Sequence, residues 1–118
     1  MKYLCMIYLD EKLRSAMSAS EHVQLNGEAL AYDDELRRSG RYVLCQALQD
    51  SDTAVVVHAR NGKVSVTDGP FAETKEQLGG IVLLDARDLN EAIQLAARIP
   101  PGRLGRVEVR PVREVPRP

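Results

Sequence analysis

The chain has 118 residues, which is enough for one domain with a single core and too few for two. Its 44% hydrophobic and 28% charged residues are typical of a globular protein, and a formal net charge of −1 excludes strong generic attraction to nucleic acid or to an anionic membrane. One phenylalanine, four tyrosines and no tryptophan also argue against surfaces for base stacking.

The apolar run near the N-terminus, Tyr3 to Leu9, is too short for a signal peptide, because Asp10-Glu11 ends it and no small-residue cleavage site follows. No stretch approaches the length of a membrane span, so we expect a cytoplasmic protein. The two cysteines, Cys5 and Cys45, lie in apolar strand-like segments. We interpret them as reduced, buried hydrophobic residues on strands that are not neighbours.

The first half of the chain begins with a predicted strand, Lys2 to Leu9, and continues with a long helix. Ser18 and Glu21 form a capping box at the start of that helix. Gly40 suits the C′ position after a helix that runs to about Ser39. Side chains at helical spacing make one face of it: His22, Leu25, Ala29, Tyr32 and Leu36.

A β-hairpin is predicted in the middle of the chain. Tyr42 to Leu48 reads as a strand, and Gln49 to Asp52 as a turn. Two further strand-like runs, Thr53 to Ala59 and Lys63 to Thr67, flank Asn61-Gly62. This dipeptide between apolar runs is the strongest short-range hairpin signal in the sequence.

The last third repeats the strand, helix and strand order. Gly80 to Asp85 is rich in β-branched and aliphatic residues, and Asp88 with Glu91 caps a second helix. Pro100-Pro101-Gly102 ends this helix. The final strand is predicted at Leu104 to Val112. The expected apolar face of the helix consists of Leu89, Ile93, Ala96, Ala97 and Ile99.

This order of elements predicts an α+β domain of ferredoxin-like topology, a split βαβ fold with an inserted β-hairpin. Both helices then lie on one face of an antiparallel sheet. We expect residues 1–113 to form the domain and residues 114–118 to be a frayed tail.

The strands predict that the other face of the sheet is covered too. In the first strand both alternating sets are apolar, and Ile81-Val82-Leu83-Leu84 is apolar on both faces. The final strand alternates as an edge strand should, with Val107 and Val109 inward. No helix remains to cover the second face, so we expect a homodimer with a cavity between the two sheets.

The candidate functional residues lie mainly in the long connection from Asp68 to Gly80. We assign Asp68 as a catalytic base, Glu73 as a supporting carboxylate and Lys75 as the group that stabilises a developing anion. Ligand-binding candidates are Phe71, Gly79, Gly80 and, on the second face of the first strand, Tyr8. We expect the loop Asp68–Glu76 to border the inter-sheet cavity.

The same residues also allow a purely structural interpretation of the connection. Asp68-Gly69-Pro70 is ordinary turn chemistry, and Phe71 would then fill part of the core. The charged side chains would simply be solvated.

The segment that starts with Asp68-Gly69-Pro70-Phe71 and runs to Gly80 resembles the signature of the DGPF branch of the YCII-related proteins. The resemblance continues at Met1–Leu4, Glu35–Arg37, Ala97–Pro100 and Val107–Val112, so it extends over nearly the whole chain. It implies a dimeric α/β barrel, mostly bacterial, with no established activity for this branch. The wider family is often credited with a His–Asp acid/base pair, and some relatives catalyse elimination or isomerisation of small ring-derived compounds. Genes of the branch often lie beside those of alternative sigma factors.

The two histidines depart from the pattern of the wider family, in which the histidine lies well inside the first helix. Ala29 occupies that position here, and His22 lies two turns earlier on the same face. His22 would act as a catalytic residue only if the cavity reached the start of the helix, and a non-catalytic first-turn histidine is the better interpretation. His58, near the end of a hairpin strand, is interpreted as structural or superficial.

Several site classes have no support in the sequence. The histidines and cysteines are scattered and offer no close pair of zinc ligands. We find no phosphate-binding glycine loop and no Gly-x-Ser-x-Gly motif, so we expect neither a metal nor a cofactor. The late arginines are interpreted as charges that protect an edge strand: Arg103, Arg106, Arg110, Arg113 and Arg117.

Two functions remain open. The first is a small-molecule-binding homodimer that acts as a cofactor-free acid/base enzyme through the Asp68–Glu76 loop. The second is a non-catalytic module that binds a ligand or a protein, such as a regulatory partner of a sigma factor. Loss of the family histidine favours the second, and the polar loop favours the first.

Overall fold

The computed structural model describes residues 1–118, and its elements follow the predicted order with one addition. The strands are β1 (Lys2–Asp10), β2 (Tyr42–Ala47), β3 (Val55–Arg60), β4 (Lys63–Asp68), β5 (Glu76–Asp85) and β6 (Gly105–Pro111). The α-helices are α1 (Glu11–Ser15), α2 (Ala19–Arg38) and α3 (Leu89–Ala96), and 3-10 turns lie at Ser51–Thr53 and Pro100–Leu104. The helix α1 was not predicted. No regular element follows Pro111.

Side-chain caps explain where the helices begin. The predicted capping box is confirmed, because the Glu21 amide donates to Ser18 Oγ at 3.2 Å and the Ser18 amide donates to Glu21 Oε1 at 3.0 Å. At α3, the Glu91 amide donates to Asp88 Oδ1 at 2.9 Å. The buried Asp10 caps α1 by accepting from the amides of the second and third residues after it.

The predicted α+β fold of ferredoxin-like topology is confirmed. Four strands form one sheet in the order β2-β5-β1-β6, and every neighbouring pair is antiparallel. The strands β3 and β4 pair only with each other as a separate hairpin. Asn61 and Gly62 have φ values of 52° and 74°, which is the geometry of the two-residue hairpin turn that this dipeptide favours.

The core lies between one face of the four-stranded sheet and the two longer helices. Cys5, Val82 and Leu84 of the sheet pack against a helical group in the same cluster, which consists of Tyr32, Leu36, Ala96 and Ile99. The Tyr32 hydroxyl donates to the Leu95 carbonyl at 2.6 Å and ties α2 to α3. None of the helices combines the length and the apolar composition that crossing a bilayer requires.

The opposite face of the sheet, which we call the helix-free face, is formed by the alternate residues of the same strands. Register places its side chains opposite one another: Leu4, Met6 and Tyr8 of β1, Leu78, Ile81 and Leu83 of β5, and Leu44 of β2. Those on β1 and β5 are part-exposed, and Leu44 is exposed. The edge strand β6 contributes charged side chains there, and its Val107 and Val109 pack against the core as predicted.

The predicted apolar face of α3 is partly wrong. Leu89 and Ile93 are about half exposed, whereas Ala92 and Glu91 are buried. The cause is an ion-pair network, in which Arg41 Nε lies 3.0 Å from Glu91 Oε1 and Arg87 Nε lies 2.9 Å from Glu91 Oε2. These pairs hold the side of α3 that carries Glu91 against the rest of the domain.

The two cysteines differ in burial. Cys5 is fully buried, as expected, but Cys45 is only half-buried, because β2 is an edge strand of the sheet. Both residues oppose Val82 of β5 from its two sides, so β1 and β2 are not neighbours and both thiols are free, as predicted. Burial raises the pKa of each thiol to about 11.

Candidate functional site

The loop between the hairpin and β5 is shorter than predicted. It consists of residues 69–75, because residues 76–79 belong to β5 and residues 76–78 pair with β1. The Thr74 hydroxyl donates to the Glu76 carbonyl at 2.6 Å, and Gln77 Nε2 donates to the carbonyls of Ala72 and Thr74 at 2.9 and 3.0 Å. Thr74 and Gln77 therefore order the loop, a role that the sequence did not reveal because neither residue belongs to a recognisable cap.

Phe71 is the most exposed large apolar residue of the chain, with 92% of its surface accessible. Its ring borders a cavity of about 650 Å³, whose apolar walls include Tyr8, Leu48 and Leu78. Ser51, Thr53 and Gln77 are among its polar residues. The alternative in which Phe71 fills the core is wrong, because its ring is exposed and belongs to neither buried cluster of the core.

A second cavity, of about 710 Å³, lies beside the first and is lined only by polar residues, Gly69 and Pro70. Asp68, Glu73 and Lys75 all border it, together with the buried Asp10. Asp68, at the end of β4, and Glu73 and Lys75, in the loop, are exposed, and no ion pair or hydrogen bond joins them to one another. The loop thus brings the predicted catalytic residues to one cavity and leaves them free to contact a polar ligand.

The third cavity at the loop, of about 530 Å³, lies toward the edge strand β6. Tyr8 and Lys75 line it, and Arg106 Nε pairs with Glu76 Oε1 at 2.9 Å in its wall. Tyr8 also lines the cavity beside Phe71, so its side chain separates the two. Its position on the helix-free face at the end of β1 agrees with the expectation that it faces this region.

The wall opposite Phe71 is held by a contact between distant parts of the chain. Glu11 Oε2 accepts from the Ser51 amide at 2.7 Å, and Glu11 Oε1 accepts from the Ser51 hydroxyl at 2.5 Å. Arg14 pairs with Asp50 beside it. Glu11 thereby fixes the 3-10 turn against α1. The sequence did not predict this contact, since five residues are too few to show helical periodicity.

Gly79 and Gly80 contact protein rather than an open cavity. A Cβ atom at Gly79 would lie 2.6 Å from Leu9 Cδ2, and one at Gly80 would lie 3.0 Å from the Gln46 carbonyl oxygen. The pairing of β1 with β5 shifts register at this point. Neither glycine lines any of the three cavities at the loop. Their absent side chains allow close packing of neighbouring strands.

The histidines lie away from the loop. His22 is part-exposed on the first turn of α2, and neither it nor Ala29 lines the three cavities. His58 is exposed on β3, in agreement with the interpretation of a surface residue. No group of three or more His, Cys, Asp or Glu side chains is arranged to hold a metal ion.

Comparison with known proteins identifies a family. The family model described as the YCII-related domain matches residues 1–116. The chain is also similar to the uncharacterized protein R00369 of Rhizobium meliloti (strain 1021), with 33% identity over 114 residues. That alignment covers 95% of this chain and 92% of the relative.

Proposed function

The chain belongs to the YCII-related domain family, and we propose that it binds a small organic molecule, as a homodimer, in the cavity beside Phe71. The observation that carries this proposal is the exposed phenylalanine on an internally hydrogen-bonded loop. Leaving such a ring in water forgoes roughly 1.5–3 kcal/mol of burial free energy. A bound molecule or a second protein surface would recover that energy.

The dimensions and chemistry of the cavity support a ligand. Its volume of about 650 Å³ falls within the range of roughly 300–1,000 Å³ that is typical of small-molecule sites. Apolar side chains form part of its wall, and the polar groups of Ser51, Thr53 and Gln77 converge on it. This composition favours an organic molecule with an apolar ring and a few polar substituents.

The homodimer is proposed from the helix-free face. Five of its side chains, Leu4, Met6, Tyr8, Ile81 and Leu83, are apolar or aromatic and part-exposed. Sheet-to-sheet packing of two copies would remove these side chains from water. Tyr8 and Leu78 belong both to this face and to the cavity, so the same packing would enclose the ligand. A cytoplasmic location and membership of the DGPF branch are part of the same proposal, the latter on the Asp68–Phe71 motif.

Acid/base catalysis of an elimination or isomerisation is the second candidate function, and the all-polar cavity favours it. Asp68 would remove a proton from a carbon of the substrate, and the Lys75 ammonium would stabilise the negative charge left behind. Glu73 would support this arrangement from the same cavity. In an isomerisation the proton returns to a different atom of the substrate, and in an elimination the C–H electron pair forms a double bond as a leaving group departs with its own electron pair from the neighbouring carbon, so neither reaction needs a redox cofactor.

The test of the ligand site compares Phe71→Ala with Leu30→Ala, which removes a 65% exposed apolar side chain from α2 instead. Binding of 1-anilinonaphthalene-8-sulfonate is followed by fluorescence titration. We expect about a tenfold loss of affinity in Phe71→Ala, equivalent to about 1.4 kcal/mol, and none in Leu30→Ala. Equal affinity in all three proteins would contradict the site. Retained probe binding with no turnover of small carbonyl compounds would favour the non-catalytic regulatory module over the enzyme.

A further inference from the structure

The hairpin β3–β4 is the part of the chain with the least support from the rest of the domain. It shares no hydrogen-bonded ladder with the four-stranded sheet. Of the twelve residues in its two strands, Val56 is part-exposed and the other eleven are exposed. Isolated two-stranded hairpins are marginally stable at best in water, so this hairpin needs a surface against which to pack.

One face of the hairpin is mainly apolar and the other mainly polar. Val57 lies opposite Val66, and Ala59 lies opposite Val64, so these residues share a face with Val55, and Asp68 lies opposite Val55 at the base of that face. The four valines of that face are between 58% and 69% exposed. The reverse face carries mainly polar side chains: His58, Arg60, Lys63, Ser65 and Thr67 together with Val56. We call the first of these the valine face. A contiguous exposed apolar patch of this kind marks an interaction surface.

The shape of the chain fits a protein with a projecting arm. Its radius of gyration is 16.3 Å, compared with about 13.5 Å for a compact domain of this length. It measures 48 × 46 × 19 Å, so it is a flat layer. Six residues of a β-strand span roughly 20 Å, which is comparable to the width of a four-stranded sheet. The hairpin is therefore long enough to cross the sheet of another molecule.

We propose that the hairpin is an arm whose valine face packs on a second copy of this chain, and that this copy closes the cavity beside Phe71. The inference rests on the proposed homodimer and ligand site and adds which segments make the dimer. The cavity lies at the base of the hairpin, because Tyr8 and Leu78 of the helix-free face line it together with Ala54, which precedes β3, and Phe71, which follows β4 by three residues. A molecule packed on both the helix-free face and the valine face would pass over this cavity.

The area required by a stable dimer identifies the second copy as the occupant. A standard interface buries about 800 Å² on each partner, somewhat more than half of it apolar. The part-exposed side chains of the helix-free face supply only about 200 Å² of apolar surface, at about 100 Å² for each fully buried aliphatic side chain. The four valines and the Phe71 ring add roughly 400 Å², since an aromatic side chain alone buries at least about 150 Å². Only the two surfaces together reach the required area.

The experiment compares two pairs of substitutions on opposite faces of the hairpin. Val57→Lys with Val66→Lys places two lysines directly opposite each other on the valine face. His58→Lys with Ser65→Lys places two lysines opposite each other on the polar face, at the neighbouring position of the same strands. Sedimentation equilibrium gives the dimer dissociation constant of each protein, and circular dichroism establishes that each is folded.

We expect the valine-face variant to raise the dissociation constant more than about tenfold and to lose binding of 1-anilinonaphthalene-8-sulfonate at concentrations where it is monomeric. The polar-face variant should match the wild type. If the lysine pair on the valine face prevents folding, Val57→Thr with Val66→Thr keeps the β-branched shape and should weaken the dimer in the same direction.

Three other outcomes would overturn the arm. An unchanged dissociation constant in the valine-face variant, or equal weakening by both variants, would contradict a role for this face. The proposed ligand site at Phe71 would then be judged only by the fluorescence titration of Phe71→Ala. A wild-type protein that is monomeric throughout the micromolar range would overturn both the arm and the homodimer.

Discussion

The two faces of the central sheet are built from the same strands yet have different environments. On β1, Cys5 and Ile7 lie beneath the helices and are almost inaccessible, whereas Leu4 and Met6, which alternate with them, remain part-exposed. Both sets are apolar, so composition does not explain the difference. The helices cover one side only, and the other side carries the loop, the cavities and the base of the hairpin.

This difference separates stability from binding. The helix-covered face is closed by contacts within the chain, and its side chains contribute mainly to the free energy of unfolding. The helix-free face and the loop hold apolar and polar groups that no part of the chain satisfies. Substitutions should therefore divide into those that change stability and those that change association, and the following predictions test that division in order of expected size.

The largest effect is expected in the covered core. Leu36 on α2 is 1% exposed, and Leu36→Ala should lower the free energy of unfolding by about 2–5 kcal/mol through lost burial and a residual cavity. Urea denaturation measures the change. Leu30→Ala on the exposed side of the same helix should cost less than about 0.5 kcal/mol. Similar losses in the two variants would contradict the assignment of the core to this face.

The buried thiol should make stability depend on alkaline pH. Burial raises the pKa of Cys5 from 9.0 to about 11. Between these values the folded protein keeps the proton and the unfolded chain releases it, so stability falls as pH rises from about 9 to 11. Across this pH range the Cys5 thiol lowers the free energy of unfolding by about 2–3 kcal/mol in total.

The check is urea denaturation of wild type and Cys5→Ala at pH 8.5 and pH 10.5. The fall in stability between the two pH values should be smaller in the variant, because other groups that titrate in this range are common to both proteins. Equal falls would show that the Cys5 thiol does not contribute. Native thiol labelling should also be slower at Cys5 than at the half-buried Cys45.

A smaller loss of stability is expected for a substitution at Gly79, where β1 and β5 pack closely. The added methyl of Gly79→Ala would meet Leu9 Cδ2 at 2.6 Å, and overpacking of this kind costs about 1–3 kcal/mol. Gly27→Ala on α2 is the matched control, because a Cβ there meets nothing within 4 Å and alanine should stabilise the helix by about 0.5–1 kcal/mol. Unchanged stability with lost probe binding in Gly79→Ala would instead support close approach of a ligand to the backbone.

The smallest effects on stability are expected at the polar cavity. Asp68→Asn and Lys75→Ala should each change the free energy of unfolding by less than about 0.5 kcal/mol, since both side chains are exposed. Both should weaken ligand binding or turnover, whereas Glu114→Gln in the exposed C-terminal segment should not. If Asp68→Asn destabilises the protein by several times this amount, Asp68 anchors a turn and the structural interpretation holds.

Local signals in the sequence predicted most of the elements. Ser18 with Glu21, Asp88 with Glu91 and Asn61-Gly62 act over two to four residues, so the chain itself carries the information. The signals failed where a distant contact decided the outcome. Helix α1 has only five residues, and Glu11 at its start accepts a hydrogen bond from the distant Ser51. The first residues of β5 are polar, and they form a strand because they pair with β1.

The candidate site was predicted in part for the same reason. Asp68, Phe71, Glu73 and Lys75 lie within eight residues of the chain, so the end of β4 and the loop after it carry all of them to the cavities. Ser51 and Glu11 were missed because forty residues separate them. Gly79 and Gly80 were assigned to a ligand, but their neighbours are Leu9 and the backbone of β2, which only the strand register reveals.

The sequence by itself determined the order of elements, the antiparallel ferredoxin-like topology and the apolar character of both faces of the sheet, because strand alternation and helix periodicity are properties of adjacent residues. The tertiary structure alone decided which face the helices cover, that Phe71 lies outside the core, and that the valine face of the hairpin is left exposed. Alternation marks two apolar faces identically, and only the packing of helices that are distant in sequence distinguishes them.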